Sequence, residues 1–292
     1  MSKTTVAVIF GGCSSEYEIS LLSASSIIRN IPKDKYEIIM LGITKEGHWL
    51  LFKGDVDEIE NGTWEQHSEN RTAFLSPDRG IHGIVMETEY GFSAIRIDVI
   101  FPVLHGKNGE DGTIQGLFQL SGIPFVGCDT LASAVCMDKA VTNILLEAAG
   151  IDQANFMWFY ASDYENVKEQ VKEDIMADLG GYPVFVKPAN AGSSVGVSKA
   201  KNAAELDKAV AVAAKEDKKI VIEECIVGKE VECAVMGNAI PKVSVVGEIA
   251  PSAEFYDYED KYKNGTSKVY IPAPLDDELS AEICNTAAKA YR

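Results

Sequence analysis

KPANAGSSVGVSK, residues 187–199, decides how this chain is read. It lies between two runs of strand character, Tyr182-Pro183-Val184-Phe185-Val186 and Val195-Gly196-Val197. Its centre, Ala191-Gly192-Ser193-Ser194, is small enough for backbone N–H groups to come close to an anion. The two hydroxyls add donors, and Lys187 and Lys199 add positive charge. A phosphate suits such a loop; so does a plain glycine–serine hairpin. The order GxxxxGK[ST] is absent and a strand follows, so a Walker A loop is excluded.

Working outward, 292 residues imply two domains or three small ones, and a 46% hydrophobic content supplies packed cores. The formal charge is −17, from 44 acidic against 27 basic residues. That excess repels a phosphodiester backbone and an anionic bilayer, which argues against nucleic-acid and membrane partners. A nucleotide can still bind where lysines and backbone donors gather locally. The six cysteines, at 13, 128, 136, 225, 233 and 284, form no CxxC. Several lie in apolar runs and read as small core residues, a usage that fits a reducing cytoplasm. The first residues lead straight into a strand with no signal-peptide layout, and no run of about 18 apolar residues marks a membrane span.

Thr5–Phe10 is a short apolar, β-branched run of the buried parallel kind. Gly11-Gly12-Cys13-Ser14-Ser15-Glu16 follows, and then helical spacing from Ile19 to Ile31. Ligands commonly sit at such a βα turn. Glu16 either caps the helix or aims a carboxylate at a ligand amine. Tyr36–Ile43 is a second strand, and residues 44–95 read as an insertion of hairpins and loops. Asp98–Leu104 is another buried strand, ending in HGKNGEDG, residues 105–112. This octet is either a ligand loop at a strand end or a solvated turn. Thr113–Ser121 is helical, Phe125–Gly127 a brief strand, and Leu131–Gly150 one helix with Met137-Asp138-Lys139 inside it.

Beyond it, Tyr164–Leu179 and Ala203–Ala214 are helical, Lys219–Ile226 is a buried strand ending in Glu223-Glu224, and Gly228–Val235 is a further strand. Glu230 and Glu232 share a face by period two. Acids so placed accept from adenine or ribose, or are exposed edge charges. Phe255–Gly265, FYDYEDKYKNG, is dense in aromatics and charges and reads as a lid, an exposed loop or a partner patch. Asp276–Arg292 is an amphipathic helix.

Taken together, GGCSSEYEIS, LHGKNGEDGTIQG, GIPFVGCD, CMDK, VKPANAGSSVGVSK and FYDYEDKY, in this order, resemble the ATP-grasp D-alanine–D-alanine ligase family. The likeness includes vancomycin-resistance relatives that use D-serine or D-lactate, and runs from Val6 to Arg292. It implies an α/β and α+β chain with an ATP-grasp fold. Residues 1–127 would form an N-terminal Rossmann-like (pre-ATP-grasp) domain, 128–226 the central grasp subdomain, and 227–292 the C-terminal one. The implied reaction is phosphorylation of the first D-alanine by ATP, then attack by a second D-amino acid's amine, for peptidoglycan precursor and cell-wall synthesis in the cytoplasm.

By position, the resemblance assigns Lys139 and Lys187 to ATP phosphates under a cover of Gly192-Ser193-Ser194. Glu223, Glu224 and Ile226 match the adenine hinge, Glu230 the ribose acceptor, and Lys261 a γ-phosphate contact. Glu16 would hold the first D-alanine's ammonium, with His105 near its carboxylate, and Glu16, Ser193 and Tyr262 would close the lid. Tyr262 points to an amine nucleophile, and Lys107 tilts the choice to D-serine over D-alanine. A homodimer is implied too. The family places its Mg²⁺ ligands and a catalytic arginine C-terminal to the last helix, so the resemblance implies that those ligands and the last part of the grasp domain lie beyond Arg292. The competing readings are another ATP-grasp carboxylate–amine ligase and a non-catalytic nucleotide-binding relative.

Overall fold

The computed structural model describes residues 3–250 and 267–292, which fall into two compact units, 1–138 and 139–292. The first unit runs β1 (Thr4–Gly11), α1 (Tyr17–Asn30), β2 (Tyr36–Ile43), β3 (Trp49–Phe52), α2 (Val56–Glu60), β4 (Arg71–Leu75), β5 (Gly83–Thr88), β6 (Gly91–Arg96), β7 (Val99–Val103), α3 (Thr113–Ser121) and α4 (Thr130–Met137). Its strands form one sheet in the order β6-β5-β4-β3-β2-β1-β7. β1 pairs in parallel with β2 and β7, and the other neighbours are antiparallel. The hairpins expected over 44–95 are therefore not a separate insertion. They extend the same sheet.

Alternation along β1 sets its two faces. Ala7 and Ile9 join Leu41, Ile43, Leu104, Ile114 and Phe118 in one buried cluster, under α3. Val6, Val8 and Phe10 join Tyr17, Leu21, Ala24 and Ile28 of α1 in the other. Phe10, Phe52 and Trp64 meet edge to face there, with ring centroids 4.9–6.4 Å apart. Gly42 makes room for them.

The second unit runs α5 (Lys139–Ala148), β8 (Phe156–Tyr160), α6 (Tyr164–Asp178), β9 (Val184–Pro188), β10 (Ser198–Ala200), α7 (Ala203–Ala213), β11 (Lys219–Glu224), β12 (Glu230–Glu232), β13 (Val235–Met236), β14 (Lys242–Val243), β15 (Gly247–Ala250), β16 (Lys268–Tyr270) and α8 (Asp277–Tyr291). An antiparallel sheet of order β10-β9-β11-β8 buries Val184, Val186, Ile220 and Ile222 against α6 and α7. Smaller sheets, β12-β15-β16 and β13-β14, follow.

Three expectations are corrected. The helix expected over Leu131–Gly150 is two helices. Asp138 is extended (φ −82°, ψ 100°), and the Lys139 amide bonds to Ala189 O at 3.1 Å instead of continuing a helix. A long-range backbone partner overrides local helix propensity at this point. Val195-Gly196-Val197 is turn, and the strand begins at Ser198; Gly196, at φ +73°, leaves the strand conformation. None of the six cysteines is buried. All are free thiols, at element ends or on open helix faces, so their apolar sequence neighbours misdirect.

A methyl group on Gly42 would stand 2.3 Å from the Trp64 ring and 2.9 Å from Phe10. Gly42→Ala therefore lowers the unfolding free energy by about 1–3 kcal/mol through overpacking, read as a fall in urea midpoint with an unchanged slope.

Candidate nucleotide and substrate sites

The register of the second unit's sheet sorts its residues. Val184, Val186, Ile220 and Ile222 point to the core, so the intervening positions share the opposite face. Lys187 lies across from Val221, Phe185 across from Glu223 on one side and Lys199 on the other. Lys187 Nζ donates to Glu223 Oε2, and Asn143 of α5 donates to Glu223 Oε1 at 3.2 Å. The Lys187 and Lys199 ammonium groups both stand over the Phe185 ring, 5.7 and 5.8 Å from its centroid. Both lysines that flank the glycine–serine stretch thus converge on one aromatic ring of the open sheet face.

α5 covers part of this face. Ala140 packs with Ala189, Val221 and Phe156, which brings Lys139 to the base of the loop. Its ammonium donates to Ala191 O at 2.7 Å and Ala189 O at 3.4 Å. The loop base is held from the other side too, where Asn190 donates through backbone N and Nδ2 to Asp217 Oδ2 at 2.9 and 2.8 Å. At the tip, Ser193 and Ser194 have φ of 48° and 60°. Two successive non-glycine residues in the left-handed region are costly, and such strain persists where the surroundings impose it. Successive backbone N–H groups in a turn can form an anion-binding concavity.

The other expected nucleotide residues are placed less uniformly. Glu224 Oε1 accepts from the Asn155 amide at 2.7 Å, so this carboxylate fastens β11 to the segment before β8. Ile226 is exposed in the stretch after β11, and Glu230 and Glu232 are exposed on β12. Lys261 and Tyr262 lie outside the described residues. Phe185 and Asn143 went unnoticed in the sequence. Period-two alternation places Phe185 on the face of Lys187, but Asn143 carried no local signal.

In the first unit, Glu16 stands at the start of α1 and is buried, with no side-chain bond capping the helix. Glu16 holds the N-cap position through its backbone, and its side chain does not bond the first turn. Its carboxylate packs against Gly106, where an added methyl group would meet Glu16 Oε2 at 2.1 Å. The Gly106 amide donates to Glu110 Oε2 at 2.7 Å. His105 Nε2 lies 3.1 Å from Ser23 Oγ of α1, and its Nδ1 is 4.0 Å from Glu110 Oε1. The βα turn and the 105–112 loop therefore meet, and a buried carboxylate, an imidazole and a second carboxylate gather at the carboxyl ends of β1 and β7. This arrangement suits an ammonium-bearing ligand.

These features define an ATP-grasp fold preceded by a Rossmann-like domain, and comparison with known proteins gives the family. The family model described as D-ala D-ala ligase N-terminus matches residues 5–128, and that described as D-ala D-ala ligase C-terminus matches residues 145–292. The D-alanine--D-alanine ligase of Thermoanaerobacter sp. (strain X514) is 50% identical over 295 residues, covering 100% of this chain and 80% of the relative. That of Acetivibrio thermocellus is 49% identical over 306 residues, covering 99% and 80%. Among solved structures, the VanG D-Ala:D-Ser ligase from Enterococcus faecalis superposes with a TM-score of 0.88 at 43% identity, covering 99% of this chain and 82% of that one. The D-alanine-D-alanine ligase from Coxiella burnetii gives 0.80 at 28%, covering 100% and 77%. The chain belongs to the D-alanine–D-alanine ligase family.

The Lys187–Glu223 pair is partly buried, with side chains 25% and 14% exposed, so solvent screens it only in part. A double-mutant cycle with Lys187→Met and Glu223→Leu yields a coupling of about 1–2 kcal/mol in urea denaturation.

Proposed function

We propose that the chain is an ATP-dependent ligase that joins D-alanine to a second D-amino acid through a D-alanyl phosphate, for peptidoglycan precursor synthesis. The observation that carries this is the convergence of Lys187, Lys199 and Glu223 on one open sheet face, with Lys139 bonded to the base of the glycine–serine loop. A carboxylate is a poor electrophile, and the phosphoryl group that ATP supplies converts its oxygen into a leaving group. The charge on phosphate oxygens is then met by fixed lysines and backbone donors.

The residues present fit ATP. An ammonium has three donors, so Lys187 keeps its bond to Glu223 and still donates to a phosphate oxygen. Lys139 is positioned through the loop carbonyls, and Ser193 and Ser194 offer hydroxyl and N–H donors. Phe185 and the hinge of Glu223, Glu224 and Ile226 offer an apolar wall and polar edges for adenine, with Glu230 as ribose acceptor. Mg²⁺ accompanies ATP in this reading. Among the described residues no group of three or more His, Cys, Asp or Glu side chains is arranged to hold a metal ion, so no step is derived through it. In this reading the boundary between the two grasp subdomains is Ile226/Val227, a division that the change of sheet between β11 and β12 supports.

In the first unit, Glu16 takes the ammonium of the first D-alanine. Gly106 leaves the space its carboxylate occupies, and His105, held by Ser23, faces the substrate carboxylate. Lys261 and Tyr262 keep their assigned lid roles. The second amino acid is D-alanine, as the names of the relatives support, or D-serine, as Lys107 and the VanG neighbour support. The working form is a cytoplasmic homodimer.

The test is phosphate release from ATP with D-alanine alone and with D-serine added, followed by identification of the dipeptide. D-alanine-dependent release is expected, and its absence in the full-length enzyme refutes the ligase reading. Lys187→Ala raises the KM for ATP by tenfold or more, on the order of one lost charge-assisted bond. Glu16→Gln and Gly106→Ala both raise the KM for the first D-alanine and leave that for ATP unchanged. Wild-type kinetics in either would make the βα turn a structural element only.

A further inference from the structure

The carboxyl ends of β1, β2 and β7 enclose a cavity of about 370 Å³ whose lining residues all belong to the first unit. Its walls are Ile43, Trp49, Leu104, Ile114 and Leu117, and Lys107 stands at its polar margin. The cavity lies on the α3 face of the sheet. Ile43, Leu104 and Ile114 belong to the cluster under α3, with Trp49 and Leu117 packed on it. Glu16 begins α1, on the opposite face, and His105 bonds to Ser23 of that helix. The cavity adjoins the pocket assigned to D-alanine and shares with it Gly11, Gly12 and Cys13 of the βα turn and His105 of the 105–112 loop, while its apolar wall lies on the α3 face.

Four physical features point to a ligand. The chain leaves β1 through α1 to reach β2 on one side, while β7 lies on the other, so the cavity sits at a topological switch point outside the carboxyl ends of parallel strands. Its volume falls at the lower end of the range for small-molecule sites, roughly 300–1,000 Å³. One side is aliphatic with one indole, and glycines, Cys13, His105, Asn108 and Thr113 complete the lining. The side chain of Lys107 makes no hydrogen bond or ion pair with any described residue. An apolar chamber with one unpaired cation at its edge selects an apolar body and one negative charge.

We infer that this cavity binds a small, largely apolar molecule carrying a single anionic group, with Lys107 pairing the anion and Trp49, Ile114 and Leu117 enclosing the body. The inference stands apart from the nucleotide site and does not require the ligase reading.

Two fluorescent probes test it on the full chain: 8-anilinonaphthalene-1-sulfonate, an apolar body with one sulfonate, and the neutral N-phenyl-1-naphthylamine. The expected result is one saturable site for the sulfonate. Leu117→Trp fills the chamber and abolishes binding of both probes, with circular dichroism unchanged. Lys107→Ala raises the Kd of the sulfonate about tenfold, the loss of one charge-assisted bond, and leaves that of the neutral probe unchanged. Wild-type affinity of a folded Leu117→Trp for either probe overturns the site. Lys107 is exposed, so Lys107→Ala decides the question even if Leu117→Trp fails to fold. An unchanged sulfonate Kd in that variant, or an equal loss for both probes, overturns the proposal.

Discussion

The bond between Lys187 and Glu223 organises the second unit's site. The two residues are 36 positions apart and lie on neighbouring antiparallel strands. Neither group is comfortable alone at partial burial, because an isolated charge loses hydration that only an opposite charge or hydrogen bonds replace. Pairing permits both on the open sheet face, and Asn143 fixes the second carboxylate oxygen. An ammonium of defined position then stands on the open sheet face, over the Phe185 ring, within a chain whose formal charge is −17. The local field, not the net charge, governs what binds there.

The first unit reaches a comparable result by different means. It packs a buried carboxylate against a glycine. Gly106 leaves the volume that Glu16 occupies, and its amide holds Glu110. Ser20 holds α1 to the end of β7, accepting from the Gly11 amide at 2.8 Å and donating to Val103 O. The βα turn and the polar loop are thus positioned by backbone bonds, and the side chains with chemistry are carried on a rigid frame. On the other face of the sheet, the same strand ends leave an apolar chamber.

Much of the fold was legible because buried strands and glycine turns are strong local signals. β1, β2, β7, β9 and β11 stand close to where their apolar runs predict, and the loops after β1, β7 and β9 fall where glycines cluster. Failures occurred where a distant partner decided the matter. The helix expected through Asp138 breaks because the Lys139 amide finds Ala189 O, 50 residues away, a preference that no helix periodicity records. Glu224 reads like Glu223 in sequence, yet it turns to the Asn155 amide because adjacent residues of a strand point to opposite faces.

The sequence by itself determined the order of strands and helices, the small-residue composition of the anion loop, and the presence of Lys187, Lys199 and Glu16 beside glycine turns. These are properties of neighbouring residues, fixed by sterics and side-chain chemistry. Only the tertiary structure decided which carboxylate answers Lys187, that Lys187 and Lys199 share the ring of Phe185, and that Glu16 nests against Gly106. Those outcomes depend on strand register and on close packing between segments far apart in the chain, and both are set when the whole core is buried at once.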